Sequence, residues 1–256
     1  MIPFTLYSLL LTLNSLSISP SAYFTYGDLS DGAKSYSVAT YWTLEYKRNH
    51  FLFAYDNYTE EDPLWNIKQN LFSLGYTREI LSLLGVRGVG WYMFDSDNNI
   101  ARILSARLLY GYNPVFTVGY AISSYSRQWW SGREFYIVYQ ITPECRIFVF
   151  KRGWWTTRVH YINAEGEKYL SLSSSLSLNI VPKFSIGVDG MFGERFYFVD
   201  DKLLVVNNRP NVEKGIAGVK ISCGLTKNIS LVLDLKKDFF RTYNINYYVL
   251  GLQMEF

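Results

Sequence analysis

The chain has two cysteines, two histidines and seven prolines in 256 residues. It also lacks any apolar run near the roughly 18 residues that a membrane-spanning helix requires. Each shortage removes a class of function. Cys145 and Cys223 are far apart and in no metal-type spacing, so neither a disulfide framework nor a zinc site is expected. His50 and His160 alone give a histidine-based metal or acid–base centre little to draw on. No Gly-rich phosphate loop and no Cys-x-x-Cys occurs, so no cofactor is expected. Lys and Arg number 25 against 22 Asp and Glu, a net charge of +3 with no basic run. That balance argues against nucleic acid as a partner.

What the chain does have is rings. Aromatic residues make up 18%, with 22 Tyr, 17 Phe and 7 Trp. Tyr and Trp join an apolar body to a polar tip, which suits a lipid–water interface. Hydrophobic residues reach 49%, yet mean hydropathy is only −0.01. The apolar content is therefore spread along the chain rather than gathered in blocks. At the start, Phe4–Leu13 is a short apolar core and Ser19-Pro20-Ser21 a run of small residues. This pattern predicts a signal peptide over Met1–Ser21, although no Lys or Arg precedes the core. Residues 22–256 then form one domain.

Period-two alternation follows with no helical stretch, which predicts an all-β fold. Strands are expected at Tyr23–Gly27, Tyr36–Tyr46, Phe51–Asn57, Ile67–Thr77, Leu83–Phe94, Ile103–Tyr112 and Phe116–Tyr125. The second half adds Glu134–Ile141, Arg146–Tyr161, Leu170–Ile180, Phe184–Phe192, Ala217–Leu225, Ile229–Asp234 and Ile245–Phe256. The count is fourteen, with twelve as the alternative, in a single antiparallel transmembrane β-barrel. Thr142–Glu144, Val181–Lys183 and Thr226–Asn228 read as tight turns. Ser126–Arg133, Ile162–Lys168 and Gly193–Gly215 read as the longer loops of the opposite rim. One strand face carries Phe116, Val118, Tyr120, Ile122, Leu170 and Leu172; the other carries Ser171, Ser173, Ser175, Ser177, Gly187 and Asp189. Periodicity alone does not say which face is inside, so a soluble barrel stays open as the alternative.

The carboxyl terminus bears on that choice. Tyr248, Leu250, Leu252, Met254 and Phe256 alternate to the last residue and end on an aromatic ring. This resembles the C-terminal signal of bacterial outer-membrane β-barrels. The resemblance implies an outer membrane of the Gram-negative type. It implies outer-membrane lipid and the barrel-assembly machinery as partners, and a last strand that closes on the first. A weaker likeness, to YaiO-like outer-membrane proteins, rests on Gln69–Tyr76 (QNLFSLGY) and Asn113–Ser126 (NPVFTVGYAISSYS). It implies no catalytic motif.

The expected turns set a register for interior charges. Turning at Thr142–Glu144 would place Glu134 opposite Arg152, and Gln140 opposite Arg146. Turning at Thr226–Asn228 places Lys220 opposite Asp234. Cross-strand pairs of this kind contribute about 0.2–1 kcal/mol. Arg87, Arg107 and Asp189 fall on the same inner face, with Glu45. Mixed signs predict a narrow polar channel or porin for small polar solutes, or else a non-conducting structural or adhesive barrel working through its external loops. An enzyme is not expected, because His160 is followed by Tyr161 and Ile162 rather than by a His-x-Ser pair. The apolar content of Gly193–Gly215 predicts a hairpin or an inward plug.

Overall fold

The structure, a computed structural model, describes residues 16–62, 65–129, 132–196, 199–200, 205–206 and 211–256. Fourteen long strands close into one antiparallel barrel in which each strand pairs with its sequence neighbours and β1 pairs with β16. They begin with β1 (Leu16–Leu29), β2 (Lys34–Tyr46), β3 (Asn49–Asp62), β4 (Trp65–Leu81) and β5 (Leu84–Asp95). There follow β6 (Ile100–Tyr110), β7 (Val115–Trp129), β8 (Gly132–Val149), β9 (Gly153–Ala164), β10 (Glu167–Val181) and β11 (Phe184–Arg195). After a small hairpin of β12 (Val199–Asp200) and β13 (Val205–Val206), the barrel resumes with β14 (Glu213–Gly224), β15 (Ile229–Phe240) and β16 (Asn244–Met254).

Closure runs through the chain ends. Ser21 to Leu29 pair with Gln253 to Ile245. The Phe256 amide donates to the Ile18 carbonyl at 3.0 Å and the Ile18 amide to the Phe256 carbonyl at 3.1 Å. A closed barrel leaves no edge strand with unmet backbone groups, which a bilayer demands. Gly251 permits the seam, because a Cβ there would stand 2.4 Å from the Tyr23 ring. The strand begins at Leu16, and Leu16–Ser21 pair with Tyr46–Tyr41. The expected leader boundary at Ser21 therefore falls inside β1, while the rest of that segment, residues 1–15, lies outside the described residues.

Strand alternation sorts the two surfaces. Outward positions are apolar and open: Leu74 is 66% exposed, Leu104 67%, Phe135 67% and Leu170 62%. The inward neighbours Ser73, Ser123, Ser171 and Glu144 are buried. Soluble proteins do not leave so continuous an apolar wall open. The polarity is that of a transmembrane barrel, with an apolar band and aromatic side chains outside and polar groups within. Tyr248, Leu250, Leu252 and Met254 take outward positions in this wall.

Two register expectations are corrected. Thr142, Pro143 and Glu144 form no turn; they lie within β8, where Val118 faces Pro143 across β7. On the other side the β8–β9 pairing skips Thr142 and Pro143 and resumes unshifted at Glu144–Arg158. Proline interrupts a ladder without ending the strand. The chain turns instead at Phe150–Arg152, where Phe150 and Lys151 have φ of 54° and 53°. Cys145 is consequently in a strand rather than a turn, and Cys145 and Cys223 are both free thiols. The loop expected over Ser126–Arg133 is mostly strand, and that over Ile162–Lys168 shrinks to a turn at Glu165-Gly166. The longest connection, 196–212, joins β11 to β14 on the rim opposite the chain ends; it holds the β12–β13 pairing.

Candidate functional site: the barrel lumen

The lumen holds a cavity of about 1410 Å³ that reaches from Ser21, His50 and Gln253 near the chain-end rim to Asp31, Asn99 and Tyr243 at the loop rim. The space is off centre. β10, β11, β14, β15, β16 and β1–β4 supply most of its lining; β8 supplies none, and β6 only Ile100. Two walls of different character produce this asymmetry.

The wall from β5 to β9 is filled. Its inward positions carry Val89, Trp91, Met93, Ile103, Tyr125, Val138 and Ile162, all buried and packed into two adjoining clusters. Below the clusters lies a charge network. Glu144 Oε2 accepts from Arg107 Nη1 at 3.1 Å and from Arg158 Nε at 2.8 Å. Arg107 also donates to the Thr117 hydroxyl at 3.1 Å. Gly119 makes room for it, since a Cβ there would stand 3.2 Å from the guanidinium. Gln140 donates to Thr142 at 2.9 Å. Glu144 and Arg107 are almost wholly removed from solvent, with side chains 1% and 5% exposed. Removing charges so far from water is costly unless they are paired and hydrogen-bonded. One carboxylate shared by two guanidiniums meets that need and fastens β6, β8 and β9 together.

The wall from β10 to β15 is open. Ser173, Ser175 and Ser177 of β10 face the cavity with Ser185, Gly187 and Asp189 of β11 and Lys220 and Ser222 of β14. Small side chains leave the width of the barrel to water. Lys220 is the register partner of Asp234, and Lys236 Nζ lies 3.1 Å from an Asp238 oxygen. Gly218 gives the Asp189 carboxylate its place, because a Cβ there would be 2.6 Å from Asp189 Oδ1. Nearer the loop rim Arg195 and Glu213 form a buried pair at 2.7 Å. Facing this wall are the rings of Tyr23, Tyr41, Tyr58 and Tyr247, with Asp56 accepting from the Ser37 hydroxyl. The lining carries seven carboxylates against five Lys and Arg side chains.

The sequence-predicted residues divide accordingly. Lys220, Asp234, Asp189 and Arg87 all line the cavity. Arg87 faces Arg107 across β5 and β6. Arg107 itself is buried in the network and away from the open space. Glu134 does not meet Arg152. Its register partner is Arg127 and the Tyr136 hydroxyl donates to its carboxylate, while Arg152 is exposed in the turn at the other end of β8. Arg146 stands opposite Val115 and Thr156 rather than Gln140, with its guanidinium 4.5 Å from the Trp154 ring centre. Glu144, the hub of the filled wall, was missed because it was assigned to a turn. Its signal was parity, since it falls two residues after Thr142 and two before Arg146 on one face. His160 does meet a serine, Ser173 of the next strand, at 3.0 Å. The ring is buried in the lumen wall, on the side away from lipid.

A membrane barrel with an off-centre polar lumen is the class that this geometry defines. No family model matches the chain, and no curated protein matches it. Solved structures do match its fold. A structure of the Ralstonia pickettii toluene transporter TbuX superposes with a TM-score of 0.62 at 7% identity, covering 94% of this chain and 90% of that one. The monoaromatic hydrocarbon channel CymD gives 0.61 at 5% identity, over 94% and 88%. The NanC porin gives 0.52 at 10% identity, over 91% and 98%. At such identities the shared property is the barrel fold.

Proposed function

We propose that the chain is a narrow channel of a Gram-negative-type outer membrane that passes small polar solutes. The observation that carries this is the cavity running along the open wall from one rim towards the other. The fold neighbours named as channels, a transporter and a porin support the same class. The solute class follows from the lining. Serine and tyrosine hydroxyls with charges of both signs suit a hydrated or zwitterionic solute better than a hydrocarbon, which would leave those groups unsolvated. Insertion would use the C-terminal strand as the signal read by the assembly machinery, with the lipid-facing wall against outer-membrane lipid. An export leader would end before Leu16, since Leu16 is already paired in β1. The YaiO-like resemblance lies in β4 and β7 and adds no site to this reading.

Liposome swelling with the refolded protein tests it. Small sugars and amino acids should enter at rates that fall with solute size, and no swelling with any of them would overturn the proposal. A second reading is a non-conducting barrel acting through its loops. One observation favours it: Phe196, at the root of the 196–212 connection, stacks on Tyr169 at 5.5 Å and packs against the filled wall. In that case shortening the connection should leave swelling absent.

A further inference from the structure

The lipid-facing wall carries a groove of about 630 Å³ across β3–β7. Its cause is local. Gly90, an outward position on β5, lines it, and the next outward position towards the chain-end rim, Gly88 with Ala106 beside it on β6, continues the line of small residues beyond it. Gly90 lies between Leu74 and Leu104 in register, so the floor is low and the sides are aliphatic and aromatic. Phe53, Phe72, Tyr92 and Ile122 complete the sides. At its loop-rim end the groove meets Arg102, whose register partners are Tyr92 and Ser124. Arg102 points outward and is exposed. Among the described residues no carboxylate lies within ion-pair distance of it. β6 has 11 residues, and Arg102 is the third from its loop-rim end. A strand that short just crosses the hydrocarbon, so Arg102 sits at headgroup level.

An unpaired guanidinium at the lipid boundary calls for an anion, and its fork matches a phosphate. A smooth apolar trench running from it into the bilayer calls for a hydrocarbon chain. The two features coincide at one place and belong together in one amphiphile. We propose that this groove binds one lipid A molecule, with a phosphate on Arg102 and the Ser124 hydroxyl and an acyl chain along Gly90 and Gly88. Lipid A is the committed occupant because the groove opens at the loop rim. This rests on the proposed function for the outer membrane, whose barrels carry their longer loops on the external side and so set that rim in the outer leaflet.

Native mass spectrometry of the refolded protein in detergent, with purified lipid A or phosphatidylglycerol added, tests the site. Wild-type protein should retain one lipid A in preference to phosphatidylglycerol. Arg102→Glu and Gly90→Leu should each lower the retained fraction at least tenfold, while Arg102→Lys keeps most of it. Arg78→Glu, an outward cation at the chain-end rim, should change nothing. Heat-modifiable gel migration checks that each variant is folded, and Arg102→Glu alone decides the matter if Gly90→Leu is not. Undiminished retention by Arg102→Glu, equal retention of phosphatidylglycerol by wild type, or no retained lipid overturns the site. A cysteine placed at Ser96 and labelled on intact cells tests the orientation separately. Absence of labelling would overturn the outward rim and leave the lipid result to be read by itself.

Discussion

The two walls of the lumen face the same space with different materials. From β5 to β9 the inward positions carry Val89, Trp91, Ile103, Val138 and Ile162, and the Arg107–Glu144 pair among them is shut away from water. From β10 to β15 they carry serines and glycines, and Asp189, Lys220, Asp234 and Lys236 among them border the cavity. A fourteen-strand barrel is too wide for one set of side chains to fill. This chain fills one half and leaves the other wet. The difference also separates two kinds of ion pair. Around Glu144 a lost partner strands a buried charge, whereas beside the cavity, at Lys220 and Asp234, water takes the partner's place.

That contrast can be broken most forcefully at Glu144. Glu144→Gln leaves Arg107 and Arg158 without their shared carboxylate, and stability should fall by about 3 kcal/mol. A shift of the urea midpoint measured by heat-modifiable migration checks it. Asp234→Asn, in the open wall, should cost no more than about 1 kcal/mol in the same assay.

Function should show the reverse order. Ser175→Trp puts a large ring into the open half and should cut single-channel conductance several-fold. The same measurement on Thr117→Val, which alters the filled half at nearly constant volume, should find conductance close to wild type. A smaller effect concerns charge. The excess of two carboxylates over Lys and Arg in the lining predicts a mild cation preference. Asp189→Asn combined with Asp234→Asn removes that excess, and the reversal potential in a KCl gradient should move towards zero. The smallest effect is expected at Pro143, the gap in the β8–β9 ladder. Pro143→Val restores a backbone N–H and should raise stability by about 0.5–1 kcal/mol, read again from the urea midpoint.

Much of the open half was legible in the sequence. The separation into two faces and the Lys220–Asp234 register follow from strict alternation around a turn of ordinary composition at Thr226–Asn228, while the resemblance of the C-terminal strand, rather than periodicity, indicated which face meets lipid. The filled half was not, and the reason lies at two places. Pro143 looks like a turn because proline usually avoids sheets, but a barrel strand can carry one where the ladder gives way. The true turn, Phe150–Arg152, carries none of the usual signals. Phe150 and Lys151 both adopt positive φ, which hairpins normally obtain from Asn-Gly. One misplaced turn shifted the pairing of β8 against β9, so Glu134 was matched with Arg152 and Glu144 went unnoticed. The lipid-side groove was also beyond a linear reading. Gly88 and Gly90 gain meaning only when the register sets them beside Leu74, Leu104 and Arg102.

The most direct test of the account is single-channel conductance of the refolded protein in a planar bilayer, with Ser175→Trp recorded beside wild type. Discrete steps with a mild cation preference in wild type, several-fold smaller in the variant, are the predicted result. Silence from a properly folded wild-type barrel, or steps that Ser175→Trp leaves unchanged, would contradict a conducting path along the open wall.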